Sequence, residues 1–136
     1  MTTTQFLKLY AASLAVCFSL DLLWLGVFAK AFYDKQMGHL LRPDVQWVPA
    51  LLFYLVYVAA MIVFVVQPAL DRGSMLRAIG LGAFFGVAAY SAFDLTSLAL
   101  LKDFPLTIAL VDLAWGATLA GTVCGAGYWM SRTILA

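Results

Sequence analysis

The chain has 136 residues, 65% of them hydrophobic and 11% charged, with a formal net charge of +1 and a mean hydropathy of +0.97. A soluble domain is about 45 to 50% apolar and needs more surface charge than eight basic and seven acidic side chains supply, so the expected solvent is a bilayer. The Lys and Arg residues are scattered singly, which gives no surface for nucleic acid.

An apolar helix needs about 20 residues to cross a hydrocarbon core, so the length admits four spans. The apolar runs place them at about 6–28, 48–66, 77–101 and 105–130. The expected fold is an all-α membrane protein, a four-transmembrane-helix bundle forming a single transmembrane domain. The first run follows Met-Thr-Thr-Thr without a basic segment and contains an Asp, so it is expected to stay as a helix and not to be removed as a signal peptide.

Between the first two spans lies a long polar connection, Ala29 to Trp47, with Lys30, Asp34, Lys35, His39, Arg42 and Asp44, expected to sit at the interface or in water. Gln67 to Gly73 reads as a hairpin turn punctuated by Pro68 and Gly73. Lys102 to Pro105 reads as another, with Pro105 opening a helix where its missing N–H costs nothing. Phe32, Tyr33, Trp47, Tyr128 and Trp129 fit interfacial anchors. Lys and Arg are equally divided between the two sides. Arg72 and Arg77 crowd against helix ends, which favours termini in the cytoplasm.

Asp21, Asp94 and Asp112 fall inside the first, third and fourth spans. An Asp at a helix centre costs about 2.5 to 3.5 kcal/mol on insertion, so all three are expected to face inward and to mark function. Counted from the long-loop side, each lies seven or eight residues deep, about 10 to 12 Å at a helical rise. Steps of four through each Asp give Ser13 and Cys17, then Gly82, Gly86 and Tyr90, then Gly116, Ala120 and Cys124. Such small residues let helices approach closely in lipid, which predicts a bundle tight toward the termini and more open at the Asp layer. Like charges at close range cannot all ionise, so a cluster would share a proton.

Trp24 and Trp115 each stand three residues after an Asp, and Tyr54 and Tyr57 on the second helix lie at a depth where either could hydrogen-bond a carboxyl. With Tyr90 these are the candidate ligand-binding residues beside the proton-handling carboxyls. The Asp-Leu starts at 21, 94 and 112 suggest a repeat of two helical hairpins. The second helix carries no charge, and Phe53, Tyr57, Met61 and Phe64 along one side would suit either a partner or lipid. No metal site is expected, because His39 is alone and remote in a loop. Cys17 and Cys124 lie about 12 Å apart in depth, beyond disulfide reach, and read as apolar fillers.

The motifs Asp21-Leu22-Leu23-Trp24-Leu25-Gly26 with Phe32-Tyr33, Tyr90-Ser91-Ala92-Phe93-Asp94-Leu95-Thr96 and Asp112-Leu113-Ala114-Trp115-Gly116 together resemble a bacterial family of small predicted inner-membrane proteins, a domain of unknown function numbered 2177. The resemblance covers nearly the whole chain. It implies four membrane helices and brings no activity, substrate or cofactor.

Three functional readings stay open. The first is a half-open pocket of Asp, Trp and Tyr side chains that binds or processes a small apolar or lipid-like molecule, with acid–base chemistry if it is an enzyme. The second is a proton-coupled transporter half-unit acting as a homodimer. The third is an accessory subunit of a larger membrane complex. The cofactor, if any, is not legible.

Overall fold

The computed structural model describes residues 1–135. Thr2 opens the first helix with a reciprocal cap. Its hydroxyl accepts the Gln5 N–H, and the Gln5 side chain accepts the Thr2 N–H. Helix α1 (Thr3–Leu23) then widens into a π turn over Trp24–Phe28, closed by the Ala29 N–H on the Trp24 carbonyl at 2.7 Å. A short helix, α2 (Lys30–Met37), follows. Helix α3 (Trp47–Met61) continues through a second π turn, Ile62–Val66, into α4 (Gln67–Asp71). Helices α5 (Met75–Leu100) and α6 (Leu106–Ile134) complete the chain.

Four helical stretches are long and apolar enough to cross a membrane: Thr3–Phe28, Trp47–Asp71, Met75–Leu100 and Leu106–Ile134. Among the described residues there is no strand. The second stretch runs five residues beyond the expected end at Val66, through the segment read as a turn. Pro68 does not stop it because the π turn just before already departs from the α ladder, with the Gln67 N–H bonded to the Ile62 carbonyl. The reversal comes later, at Gly73, whose φ of +62° suits a residue without a Cβ. Ser74 then caps α5 through the Arg77 N–H at 3.1 Å.

The polar residues of the long connection, Lys30, Asp34, Lys35, His39, Arg42 and Asp44, are exposed as expected, but the segment also has a buried side. Ala29, Tyr33 and Met37 recur every four residues and are buried on one side of α2, while Lys30 and Asp34 pair at 3.1 Å on the outer side. This helix packs over the end of the bundle against Phe104 and Ile108. His39 is held at the surface, its Nε2 donating to the Asp103 carbonyl at 3.1 Å, which ties the loop after α2 to the α5–α6 turn.

Helix α6 is the centre of the molecule, contacting α5 along its length and also α1, α2 and the π turn after α3. The rows of small residues form its interfaces. Ser13 and Cys17, Gly82 and Gly86, and Gly116, Ala120 and Cys124 are all buried. A Cβ built on Gly82 would meet Cys124 Cβ at 2.8 Å, and one on Gly86 would strike the Gly116 carbonyl. Backbones therefore touch at the α5–α6 crossing. The α1–α3 contact is looser, so two hairpins similar in motif differ in packing. Leu9, Val58, Ile62, Leu119 and Val123 fill the half nearer the termini.

Two of the residues read as interfacial anchors are interior: Tyr33 and Tyr128 are buried, whereas Trp47 and Trp129 are exposed. The proposed docking side of the second helix is likewise divided. Tyr57 and Met61 are core residues, and only Phe53 and Phe64 remain exposed. Tyr57 is taken into the core by its stack on Phe85 of α5, and Met61 joins the same core cluster as Leu119 and Val123 of α6.

Candidate functional site

The three membrane aspartates meet different partners. Asp21, 5% exposed on α1, accepts the Tyr54 hydroxyl on one oxygen and Trp115 Nε1 at 3.0 Å on the other. One carboxyl thereby joins α1, α3 and α6. Of the two tyrosines considered on the second helix, Tyr54 supplies the bond. The Tyr57 hydroxyl is buried without a partner, because its ring lies stacked between Phe53 and Phe85, with centroids 4.9 and 5.7 Å away.

Asp112, half-buried on α6, accepts the Tyr33 hydroxyl from α2. Tyr33 in turn receives Trp24 Nε1 at 3.4 Å. Burial first, and the bond to Asp112 second, push the Tyr33 phenol above the ordinary tyrosine range, so it remains a proton donor. Sequence reasoning had Tyr33 as an anchor. The signal that finds it is the four-residue spacing of Ala29, Tyr33 and Met37 opposite the Lys30–Asp34 pair.

Asp94 on α5 is 0% exposed, and neither of its oxygens has an N–H or O–H donor from the rest of the protein. Its neighbour is the Asp112 carboxyl, within hydrogen-bonding reach if one of the two holds a proton. No Lys or Arg is bonded to either acid. The single ion pair among the described residues is Lys30–Asp34 at the surface. Two adjacent carboxyls without a cation are chemically reasonable when they hold a proton between them.

Trp24 and Trp115 stack with centroids 4.6 Å apart and planes 9° from parallel. Trp115 reaches Asp21, while Trp24 reaches Tyr33 and, through it, Asp112. The Tyr90 ring lies over Gly116, where a Cβ would come within 2.7 Å of it. The absent side chain at 116 makes room for the tyrosine.

These groups border a cavity of about 470 Å³ beneath α2. Asp21, Asp112, Tyr33 and Trp115 line it. So do Phe53 of α3 and Ala89, Tyr90 and Phe93 of α5. Tyr57 of α3 stacks on Phe85 of α5 with ring centroids 5.7 Å apart. Four lining residues, Leu25, Leu41, Phe53 and Phe93, are also exposed at the outer surface, so the cavity borders the outside through apolar side chains, two of them from α3 and α5. Asp94, beside Asp112, does not line the space. Trp24 and Tyr54 do not line it either, but hydrogen-bond two residues that do, Tyr33 and Asp21. Among the described residues no group of three or more His, Cys, Asp and Glu has a geometry that would hold a metal ion.

The family model described as "Predicted membrane protein (DUF2177)" matches residues 6–129. The chain belongs to this family. DUF2177 is a family of unknown function, so membership accounts for the apolar helices and assigns no chemistry to the cavity. No curated protein and no solved structure matches the chain.

Proposed function

We propose that this DUF2177 member binds a small apolar or lipid-like molecule that enters from the bilayer between α3 and α5. The observation that carries the reading is the largely apolar cavity lined by the Asp21 and Asp112 carboxyls together with Phe53 of α3 and Phe93 of α5, both exposed at the outer surface. Its volume falls in the range of ligand pockets, about 300 to 1,000 Å³, and its few convergent polar groups among apolar side chains are the usual recipe for orienting a ligand. Asp112, a carboxyl that lines the cavity, is the group placed to deliver or withdraw a proton at the ligand in acid–base chemistry such as a double-bond shift.

The transporter reading needs a polar path onward to the termini, and Leu9, Leu119 and Val123 fill that half with apolar side chains. The test is mass spectrometry of molecules that co-purify in mild detergent with the wild type, Asp112→Asn and Asp94→Asn. A bound molecule lost or depleted in the variants supports the reading. An identical ligand profile, with only a lowered melting temperature in the variants, would make the carboxyls helix-bonding groups and nothing more.

A further inference from the structure

Resting on that reading of the cavity, we propose that its ligand is an amphiphilic amine, with a protonated nitrogen between Asp21 and Asp112 and an apolar tail leaving between Phe53 and Phe93. The chemistry of the walls selects this class. Asp21 accepts on both oxygens and Asp112 accepts from Tyr33, so each is fixed in place as an acceptor facing the space. The aromatic rings of Trp115 and Tyr90 line the same cavity, and aromatic rings attract cations through their faces.

The cavity lining holds no complement. Among the described residues no Lys, Arg or His lines it, and Lys30, near in sequence, is engaged with Asp34 at the surface. Asp94, wholly buried with neither oxygen given a donor, adds a second acceptor group behind Asp112. Acidic groups in a membrane interior ordinarily pair with a partner of opposite sign, and here the place for that partner is the cavity. A carboxylic acid ligand would bring a third acid to a site without a cation. A neutral alcohol would satisfy one acceptor and leave the electrostatic demand unmet. A metal ion lacks its coordinating group of three or more side chains. A phospholipid headgroup carries an ammonium but brings a phosphate with no basic residue to receive it, so the amine is expected free of phosphate. The tail faces no such restriction, since the exit is bounded by two phenyl rings.

The test uses the full chain in phosphatidylcholine nanodiscs, with dodecylamine, dodecanol and dodecanoic acid as tail-matched probes and tryptophan emission, in which Trp115 takes part, as the readout. Dodecylamine is expected to saturate at a membrane mole fraction about tenfold or more below dodecanol, the scale of one hydrogen bond to a charged group, and dodecanoic acid is expected not to saturate. Asp21→Asn and Asp112→Asn should each erase most of the amine preference, and Ala89→Trp, which fills the cavity, should abolish saturable binding of every probe. If Asp21→Asn fails to fold, because its carboxyl joins three helices, Asp112→Asn carries the test. Equal binding of amine and alcohol, sensitive to Ala89→Trp, would overturn the amine while leaving the apolar-ligand reading standing. Absence of any saturable binding would overturn both. Phosphatidylethanolamine added to the discs is expected not to compete; competition would overturn the phosphate-free assignment in favour of a lipid headgroup.

Discussion

Trp24 and Trp115, each three residues after an aspartate on α1 and α6, lie face to face with ring centroids 4.6 Å apart. Each indole N–H serves a different acid, Trp115 bonding Asp21 directly and Trp24 reaching Asp112 through the Tyr33 hydroxyl. The stack is thus the junction between two carboxyl groups that share no direct bond.

A double-mutant cycle tests that junction. Stacked aromatic pairs contribute about 0.5 to 1.5 kcal/mol beyond area, so Trp24→Leu and Trp115→Leu should show a coupling of that order in detergent-induced unfolding. Trp115→Phe keeps a ring but loses the bond to Asp21, and should cost about 0.6 to 2 kcal/mol, as interhelical hydrogen bonds in membranes do. Additive single mutants would show that the rings touch without mutual stabilisation.

The α5–α6 crossing separates glycines that must stay from one that need not. Gly86→Ala sets a methyl against the Gly116 carbonyl and within 2.8 Å of Ala120 Cβ, and overpacking of this kind costs about 1 to 3 kcal/mol. Gly80→Ala on the same helix meets nothing within 4 Å and should be neutral or stabilising by up to about 1 kcal/mol. Thermal unfolding of the two variants checks the contrast; equal effects would mean the backbones do not meet at Gly86.

Infrared spectroscopy reads the carboxyl pair directly. Two adjacent carboxyls holding one proton between them are expected to give a protonated-carboxyl carbonyl band that vanishes in Asp94→Asn, whose amide can donate to the Asp112 carboxylate instead. A wild-type spectrum without the band would exclude the shared proton.

Tyr33 gives a pH dependence. Its phenol is raised in the fold, chiefly by burial and then by Asp112. The stability it contributes is therefore fully present below the ordinary tyrosine value of about 10 and is lost as pH rises toward its raised value. The stability difference between wild type and Tyr33→Phe should be flat from about pH 6 to 9 and shrink in stronger alkali. A difference already falling near neutrality would contradict the buried donor role.

The spans and the buried rows of small residues were legible because lipid imposes two strong rules, apolar length and close backbone approach. Asp21, Asp94, Gly86 and Cys124 all lie on the faces that steps of four assign. Tyr33 was not legible in the same way. Its helix is eight residues long and polar on one side, and hydropathy alone makes such a segment a solvated loop. The choice of Tyr54 over Tyr57 was equally hidden, because the two lie less than one helical turn apart on α3 and hydropathy does not say which hydroxyl reaches Asp21. The division of three acids into Asp21 with two donors, Asp112 with one and Asp94 with none among the described residues follows from those details, so depth counting could group them but not assign their partners.

The bonds of Asp21 also impose an order on biogenesis. In a chain made from its N-terminus, Asp21 enters the membrane before either donor exists, Tyr54 following 33 residues later and Trp115 94 residues later. The first helix must therefore wait, half-compensated by α3, until the last helix arrives to complete its carboxyl, which makes insertion of α6 the step that commits the nascent protein to its final form.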